Sequence, residues 1–270
     1  MLVEQIAVNN NLRNYMYLLA CPETREAVAI DPLDDQLALK RAKQLGWDIR
    51  GVINTHEHHD HIGGNEAVIA ATGAKLYAHE NARDKIPNVD VGLRAGDTVQ
   101  VGNRVELIAL DTPGHTFCHT CLYFIGDSEC EPALFSGDTL FNAGVGNCHN
   151  GGNPQTMYQT FVRQLFVLPD ETKIYPGHDY IVNNLQFTLD REPNNAAARS
   201  LLAAMDQWSG EKHFISNIAM ERLVNTFFRL ESNEIIELLK TQFPEIGSSP
   251  SEEIVFLKLR VLRNHWYSLV

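Results

Sequence analysis

The 270-residue chain contains no run of 18 apolar residues, and its opening, MLVEQIAVNN, has no basic stretch leading into an apolar one. Neither a membrane span nor a signal peptide is expected. Positive charge is scarce: 22 Lys and Arg face 34 Asp and Glu, a formal net charge of −12. A field of that sign repels phosphate backbones, and no basic patch with interleaved aromatics appears, so nucleic acid is not an expected partner. Cysteines are few and odd in number: Cys21, Cys118, Cys121, Cys130 and Cys148. Without a small-scaffold spacing they read as free thiols in a reducing compartment, the cytoplasm. GxSxG is absent, as is any Cys–His pairing of the kind that builds a side-chain nucleophile. Internal repeats and low-complexity segments are absent too.

What is present is a globular composition, 44% apolar and 21% charged, long enough for a sizeable core. The first half reads as strand-length apolar runs split by turns: LVEQIAV (2–8), YMYLLA (15–20), EAVAID (26–31), GVINT (51–55), then 75–79, 98–101, 104–110, 120–125 and 133–136. DDQLALKRAKQLG carries helix start and stop signals, and GGNEAVIAATG reads as a helix entered through glycines. From Asn153 the spacing turns helical, with Met157, Phe161, Leu165 and Leu168 on one face. Beyond Tyr180 no strand is expected. ARSLLAAMDQW, SNEIIELLKTQF and SEEIVFLKLRVLRNHW place apolar residues three and four apart, with Ser232 and Ser251 as candidate N-caps. The expectation is therefore two parts: a sheet-rich catalytic domain over 1–180 and an all-helical domain over 181–270.

The least probable stretch is THEHHDHIGG, from Thr55, with four histidines and an aspartate in seven positions. A His-x-His-x-Asp-His pattern arises by chance in roughly one such chain per thousand. It follows a short buried strand and precedes a Gly-Gly turn, a place where a rigid strand aims converging side chains. Neutral imidazoles with carboxylate suit zinc, iron or manganese. Four residues on so tight a loop cannot easily share one ion. His56 and His58 suit one metal, and Asp60 and His61, beyond the bend, face a second. Further donors come at three strand-to-loop junctions: His115 in IALDTPGHT, Asp138 in ALFSGDTLF and His178 in KIYPGHDY.

In that order these motifs resemble the metallo-β-lactamase fold. With the tail, including NNLQFTLDREPNNAA and AMERLVNTFFRL, nearly the whole chain resembles glyoxalase II, the hydroxyacylglutathione hydrolases. The resemblance implies an α/β fold, an αββα metallo-β-lactamase sandwich followed by a C-terminal all-helical domain that helps to bind substrate. It implies two divalent ions per chain, the first held by His56, His58 and His115 and the second by Asp60, His61 and His178, with Asp138 bridging. His59 falls at a variable position and reads as solvent-facing or supporting. His119 is expected to support His115, and Cys121 to fill a small apolar site in a strand rather than to pair with Cys118.

Two ions about 3.5–4 Å apart lower the pKa of a bound water from about 15.7 to about 7. That removes about 11 kcal/mol from the cost of hydroxide at neutral pH. The implied reaction is attack on the thioester of a glutathione-derived substrate such as S-D-lactoylglutathione, with Asp60 or Asp138 taking up the proton. Among the family's thiol contacts, Tyr180 and Arg229 match. A GCGKFYEG-like loop does not: AGVGNCHNGG puts Asn147 at the Lys and His149 at the Tyr, and Ser232 stands at a later basic position. Glutathione is then held differently, with Arg222 or Arg260 as candidates against the plainer reading of Arg222, Arg260 and Arg263 as a solvated helix face, or the carrier is another thiol. The alternatives are a mononuclear-iron persulfide dioxygenase, a β-lactamase proper, a metallo-ribonuclease and a non-catalytic metal-bound sensor.

Overall fold

A strand buried on both faces needs a partner layer on each side, and β2 (Tyr15–Ala20) has both. Its Tyr15, Tyr17 and Leu19 enter one apolar cluster, while Met16 and Leu18 enter another on the opposite face. The computed structural model describes residues 1–208 and 213–266 and arranges this alternation as four layers: helix, sheet, sheet, helix. The first sheet runs β1–β2–β3–β4–β5–β6, with β1 (Leu2–Ala7), β3 (Glu26–Ile30), β4 (Asp48–Ile53), β5 (Lys75–His79) and β6 (Val91–Leu93). The second runs β14–β13–β10–β9–β8–β7, from β7 (Thr98–Val101), β8 (Val105–Asp111), β9 (Thr120–Phe124), β10 (Ala133–Gly137), β13 (Lys173–Pro176) and β14 (Ser216–Asn217). A small hairpin of β11 (Leu140–Phe141) and β12 (Gly144–Val145) lies between β10 and β13 in the chain.

Between the sheets, Tyr17, Leu19, Val28 and Ile53 pack with Val105, Leu107, Leu122 and Phe135. Outside the first sheet, α1 (Asp35–Leu45), α2 (His59–Ile62) and α3 (Asn65–Thr72) follow, and Ala38, Ala42 and Val68 meet Met16, Leu18 and Leu76. The Asp34 side chain caps α1 by accepting from Leu37 N, and Gly46, at φ 67°, closes it. Outside the second sheet lie α4 (Pro154–Thr160), running into a π-helical turn over Phe161–Leu165, and the tail helices. These are α5 (Ile181–Arg191), α6 (Ala196–Asp206), α7 (Ile218–Val224), α8 (Asn233–Gln242) and α9 (Glu252–His265).

The tail departs from expectation in two respects. Ser216–Asn217 pairs antiparallel with β13, so a strand does lie beyond Tyr180. Two residues carry no period, which hides such a strand in the sequence. Phe187, Phe227, Ile235, Leu239 and Phe256 of the tail also share one cluster with Cys121, Leu134, Leu165 and Ile174 of the sheet-rich part. The two stretches meeting near residue 180 are thus built on a common core. Ser251 caps α9, but Ser232 does not cap α8 with its side chain: its Oγ donates to Glu192 instead.

Candidate metal centre

Five strands end at the same rim. β4 delivers His56, His58, Asp60 and His61; β8 leads to His115; β10 delivers Asp138; β13 delivers His178; and β3 delivers Asp31. Two Pro-Gly turns present the outlying histidines. A Cβ at Gly177 would run into Asp138 Oδ1 and stand 2.9 Å from His61 Cε1, so only glycine lets the last turn pass the site. Gly114, at φ 150°, lies against Met157 of α4, which backs the turn carrying His115.

The ring nitrogens can be assigned from their outer partners. His115 Nδ1 lies 2.6 Å from Asn147 O and His58 Nε2 lies 3.0 Å from Asn150 O, so each donates a proton to a carbonyl. Thr55 Oγ1 gives its single proton to Asp31 Oδ2 at 2.6 Å, which leaves it to accept from His56 Nδ1 at 3.0 Å. The remaining nitrogens, His56 Nε2, His58 Nδ1 and His115 Nε2, then all carry lone pairs. His58 Nδ1 nevertheless stands 3.0 Å from both of the others. Acceptors at that spacing repel unless a cation lies among them. A tetrahedral ion with bonds of about 2.0–2.1 Å to nitrogen separates its ligands by about 3.3 Å, close to this spacing.

The second set repeats the pattern. His61 Nδ1 donates to Asp31 Oδ2 at 3.0 Å and His178 Nδ1 donates to Leu12 O at 2.7 Å, which leaves both Nε2 atoms as acceptors. Asp60, His61 and His178 offer ligand atoms within 4.8 Å of one another. Asp138 spans the two sets: Oδ2 is 3.5 Å from His115 Nε2 and 3.1 Å from His178 Nε2, and Oδ1 is 3.4 Å from His61 Nε2. His61 Nε2 and Asp138 Oδ1 are buried without a hydrogen-bond partner, a costly state that an ion relieves. Asp31 also falls within ligand distance of His56 and His61, but its oxygens are taken by Thr55 N, Thr55 Oγ1 and His61 Nδ1. It orients the site rather than binding the ion.

Electrostatics agree with the donor set. Burial holds His56 and His119 far below the ordinary imidazole range and lowers His115. For Asp138 burial works against ionisation, yet His178, His61 and His115 hold its carboxyl well below the usual range. Burial also opposes a charge on His61, but Asp138, Asp31 and Asp60 push its pKa up to about 9. The carboxylates call for positive charge at this point, which a divalent ion supplies without a proton. The residues present therefore fit the metals that the sequence pattern implied.

The other candidates scatter. His59 is exposed. His119 stacks on His56 with ring centroids 5.2 Å apart and accepts from Asp138 N at 3.2 Å, so its support goes to Asp138 and His56, not to His115 by hydrogen bond. Cys121 is buried in β9 beside Ser136 O, and Cys118 donates to Asn81 O. Asn147 and His149 are exposed, and the Asn147 carbonyl serves His115. Tyr180 lies stacked on His178, centroids 4.9 Å apart. Burial, with Asp138 and Asp60 nearby, raises its phenol pKa, so it remains a donor.

Arg229 is not brought to the cluster. Its Nε and Nη2 clasp Glu192 at 2.6 and 2.7 Å, at the far end of α5 from Tyr180. Eleven helical residues put those ends about 16 Å apart. Its guanidinium is thus engaged by Glu192 rather than turned to the cluster. Arg222 is bonded to Asp170 and Phe166 O. Arg260, expected on a solvated face, is buried, and its Nη1 donates to Val145 O and Gly146 O at 3.1 and 2.9 Å. Burial draws its pKa down to about 10, which leaves it charged at neutral pH. Arg263, one turn on, reaches Asn184 Oδ1 and interacts with Tyr180.

A two-sheet sandwich with this rim of histidines and aspartates defines a member of the metallo-β-lactamase superfamily, whose family model matches residues 14–178. A second model, hydroxyacylglutathione hydrolase C-terminus, matches residues 179–266. The hydroxyacylglutathione hydrolases of Nitrosococcus oceani and of a Polaromonas species are each 56% identical over 98% of this chain and 100% of their own. The Arabidopsis thaliana cytoplasmic hydroxyacylglutathione hydrolase is 36% identical, covering 86% of this chain and 90% of its own. The chain belongs to the hydroxyacylglutathione hydrolase family. Among solved structures, ETHE1 from Myxococcus xanthus superposes with a TM-score of 0.66 at 27% identity, covering 97% of this chain and 98% of that one.

Proposed function

We propose that the chain is a metal-dependent thioester hydrolase that cleaves a hydroxyacylglutathione, S-D-lactoylglutathione, to the hydroxy acid and glutathione. The carrying observation is the convergence of lone-pair nitrogens and carboxylate oxygens into two sets that share Asp138. In this reading His56, His58 and His115 hold one divalent ion, Asp60, His61 and His178 hold the other, and Asp138 joins them. Bound there, zinc, iron or manganese would supply hydroxide at neutral pH and positive charge for the carbonyl oxygen.

The chain's own residues have separate tasks. Asp138 is buried and ionised, whereas the Asp60 side chain is 26% exposed. The Asp60 carboxylate is thus the better placed to pass the proton released on attack to water. A thiolate leaves with little protonation, so no dedicated acid is needed. Tyr180, stacked on His178, offers a phenol donor beside the reacting group. The positive charge missing at Asn147 would come from α9, where Arg263 approaches Tyr180 and would meet a glutathione carboxylate. Asn147 and His149 are exposed, and Asn147 O accepts from His115 Nδ1 beside the cluster. In this reading residues 181–270 act as the substrate-binding domain.

The cytoplasm is the proposed setting: all five cysteines are unpaired, no helix among the described residues is long and apolar enough to cross a membrane, and the Arabidopsis relative is named cytoplasmic. The test is hydrolysis of S-D-lactoylglutathione, followed at the thioester absorbance, with metal content determined on the same sample. Turnover with about two ions per chain is expected. A fully loaded protein inert on this thioester but active on another acyl-thiol would move the substrate; oxygen uptake with a persulfide and one bound iron would replace the reaction.

A further inference from the structure

We infer that Asn14 is the positioning residue of one half of the metal centre, fixing Asp60 for the second ion and leaving the ligands of the first untouched. The inference rests on the two-ion reading above. Asn14 is buried in the loop just before β2, and its Nδ2 lies 3.0 Å from both Asp60 O and Asp60 Oδ2. Both neighbours are acceptors, so the amide has one workable orientation; turned over, its oxygen would face two oxygens. Asn10 secures that orientation, donating to Asn14 Oδ1 at 2.9 Å and accepting from Asn14 N at 3.2 Å. One amide group thereby ties the Asp60 carboxylate to its own backbone carbonyl and fixes the side-chain torsions between them. Asp60 needs that tie. It sits on the four-residue α2, whose N-cap makes no side-chain hydrogen bond, and Asn14 is the one hydrogen-bond donor to its carboxylate among the described residues.

The same loop, between β1 and β2, also supplies Leu12 O to His178 Nδ1, and Asn14 bridges the backbone of His178. The first set leans instead on Thr55 and on the carbonyls of Asn147 and Asn150. Asp31 serves both halves, through Thr55 and through His61, but the Asn14 loop reaches the second set alone, so a change at Asn14 is felt at one ion.

The experiment compares the full-length wild type with Asn14→Leu, which keeps the side chain's size and removes its donors, by Zn2+ competition against a chromophoric chelator. The wild type is expected to hold two ions. Asn14→Leu should hold one with unchanged affinity and the other about 10- to 100-fold more weakly. Unchanged affinity at both sites, or equal loss at both, overturns the inference, because a general loss of packing would not choose between ions. If Asn14→Leu fails to fold, Asn10→Ala decides the question. It keeps both donors to Asp60 but frees the amide, and a smaller loss confined to one ion is expected; no selectivity there overturns the role of Asn14. A wild type that holds a single ion overturns the two-ion reading beneath it.

Discussion

Arg229 and Glu192 show how a residue that matches a family pattern is nonetheless spent on structure. Glu192 is buried and also accepts from Ser232 Oγ and Asn195 Nδ2, so its carboxylate is fully engaged at the corner between α5 and α6. Removing Arg229 leaves that buried charge without its cation. Arg229→Ala should therefore destabilise the protein by about 2 kcal/mol, a charge-assisted pair discounted because the guanidinium is partly in water. KM for the thioester should stay unchanged. Denaturant unfolding and steady-state kinetics on one preparation check both; a raised KM with unaltered stability would return Arg229 to the substrate. The seven side chains that converge at the rim, and that we propose hold the metals, were legible in the sequence because each is set in a turn motif. Asp31 was not, although AIDPL ends a strand just as the other donors do. The carbonyls of Leu12, Asn147 and Asn150 could not be, since a backbone oxygen has no residue signature.

At the scale of the element, α9 is the instructive case. Phe256, Leu259, Arg260 and Arg263 lie three and four apart, and the first three are buried. The two arginines thus continue the apolar stripe, and that was the available signal against a solvated face. They do different work. Arg260 is consumed by Val145 O and Gly146 O and holds the turn that leads to Asn147, whereas Arg263 sits over the Phe187 and Trp266 rings and still reaches toward Tyr180. Arg263→Met keeps the stem and deletes the charge. It should raise KM about tenfold, the loss of one charge-assisted hydrogen bond of about 1.4 kcal/mol, with kcat and metal content unchanged. Equal KM in the variant would remove Arg263 from the thiol-binding surface. Strand-length apolar runs such as β2, and α1 with its start and stop signals, were readable from the sequence. β6, β11, β12 and β14, of two or three residues each, exist only through their partners.

At the scale of the molecule, the tail is joined to the catalytic part by a buried polar knot that no motif announces. Glu221 of α7 is fully buried; its Oε2 accepts from Ala143 N at 2.9 Å and Asn225 Nδ2 at 2.8 Å. Ser216 Oγ lies 2.6 Å from Glu221 Oε1 and 2.9 Å from Asn142 Oδ1, and one hydroxyl proton cannot serve both. A protonated Glu221 completes the chain by donating to Ser216, which then donates to Asn142. Burial does push the Glu221 pKa up to about 7, against hydrogen bonds from Ser216, Asn225 and Ala143 that work the other way. The folded state thus binds this proton more tightly than the unfolded chain, where the carboxyl titrates near 4.5. The associated stability is fully present below pH 4.5 and is lost as pH rises to about 7, amounting to about 3 kcal/mol. Glu221→Gln reproduces the protonated form, its amide donating to Ser216 and its oxygen accepting from Asn225 and Ala143. Urea unfolding of wild type and Glu221→Gln, at matched metal content, should therefore differ little at pH 5 and diverge by pH 8, with the glutamine variant the more stable. A difference that stays flat from pH 5 to 8 would mean that the knot is held by an ionised carboxylate, and that the tail is docked without a proton.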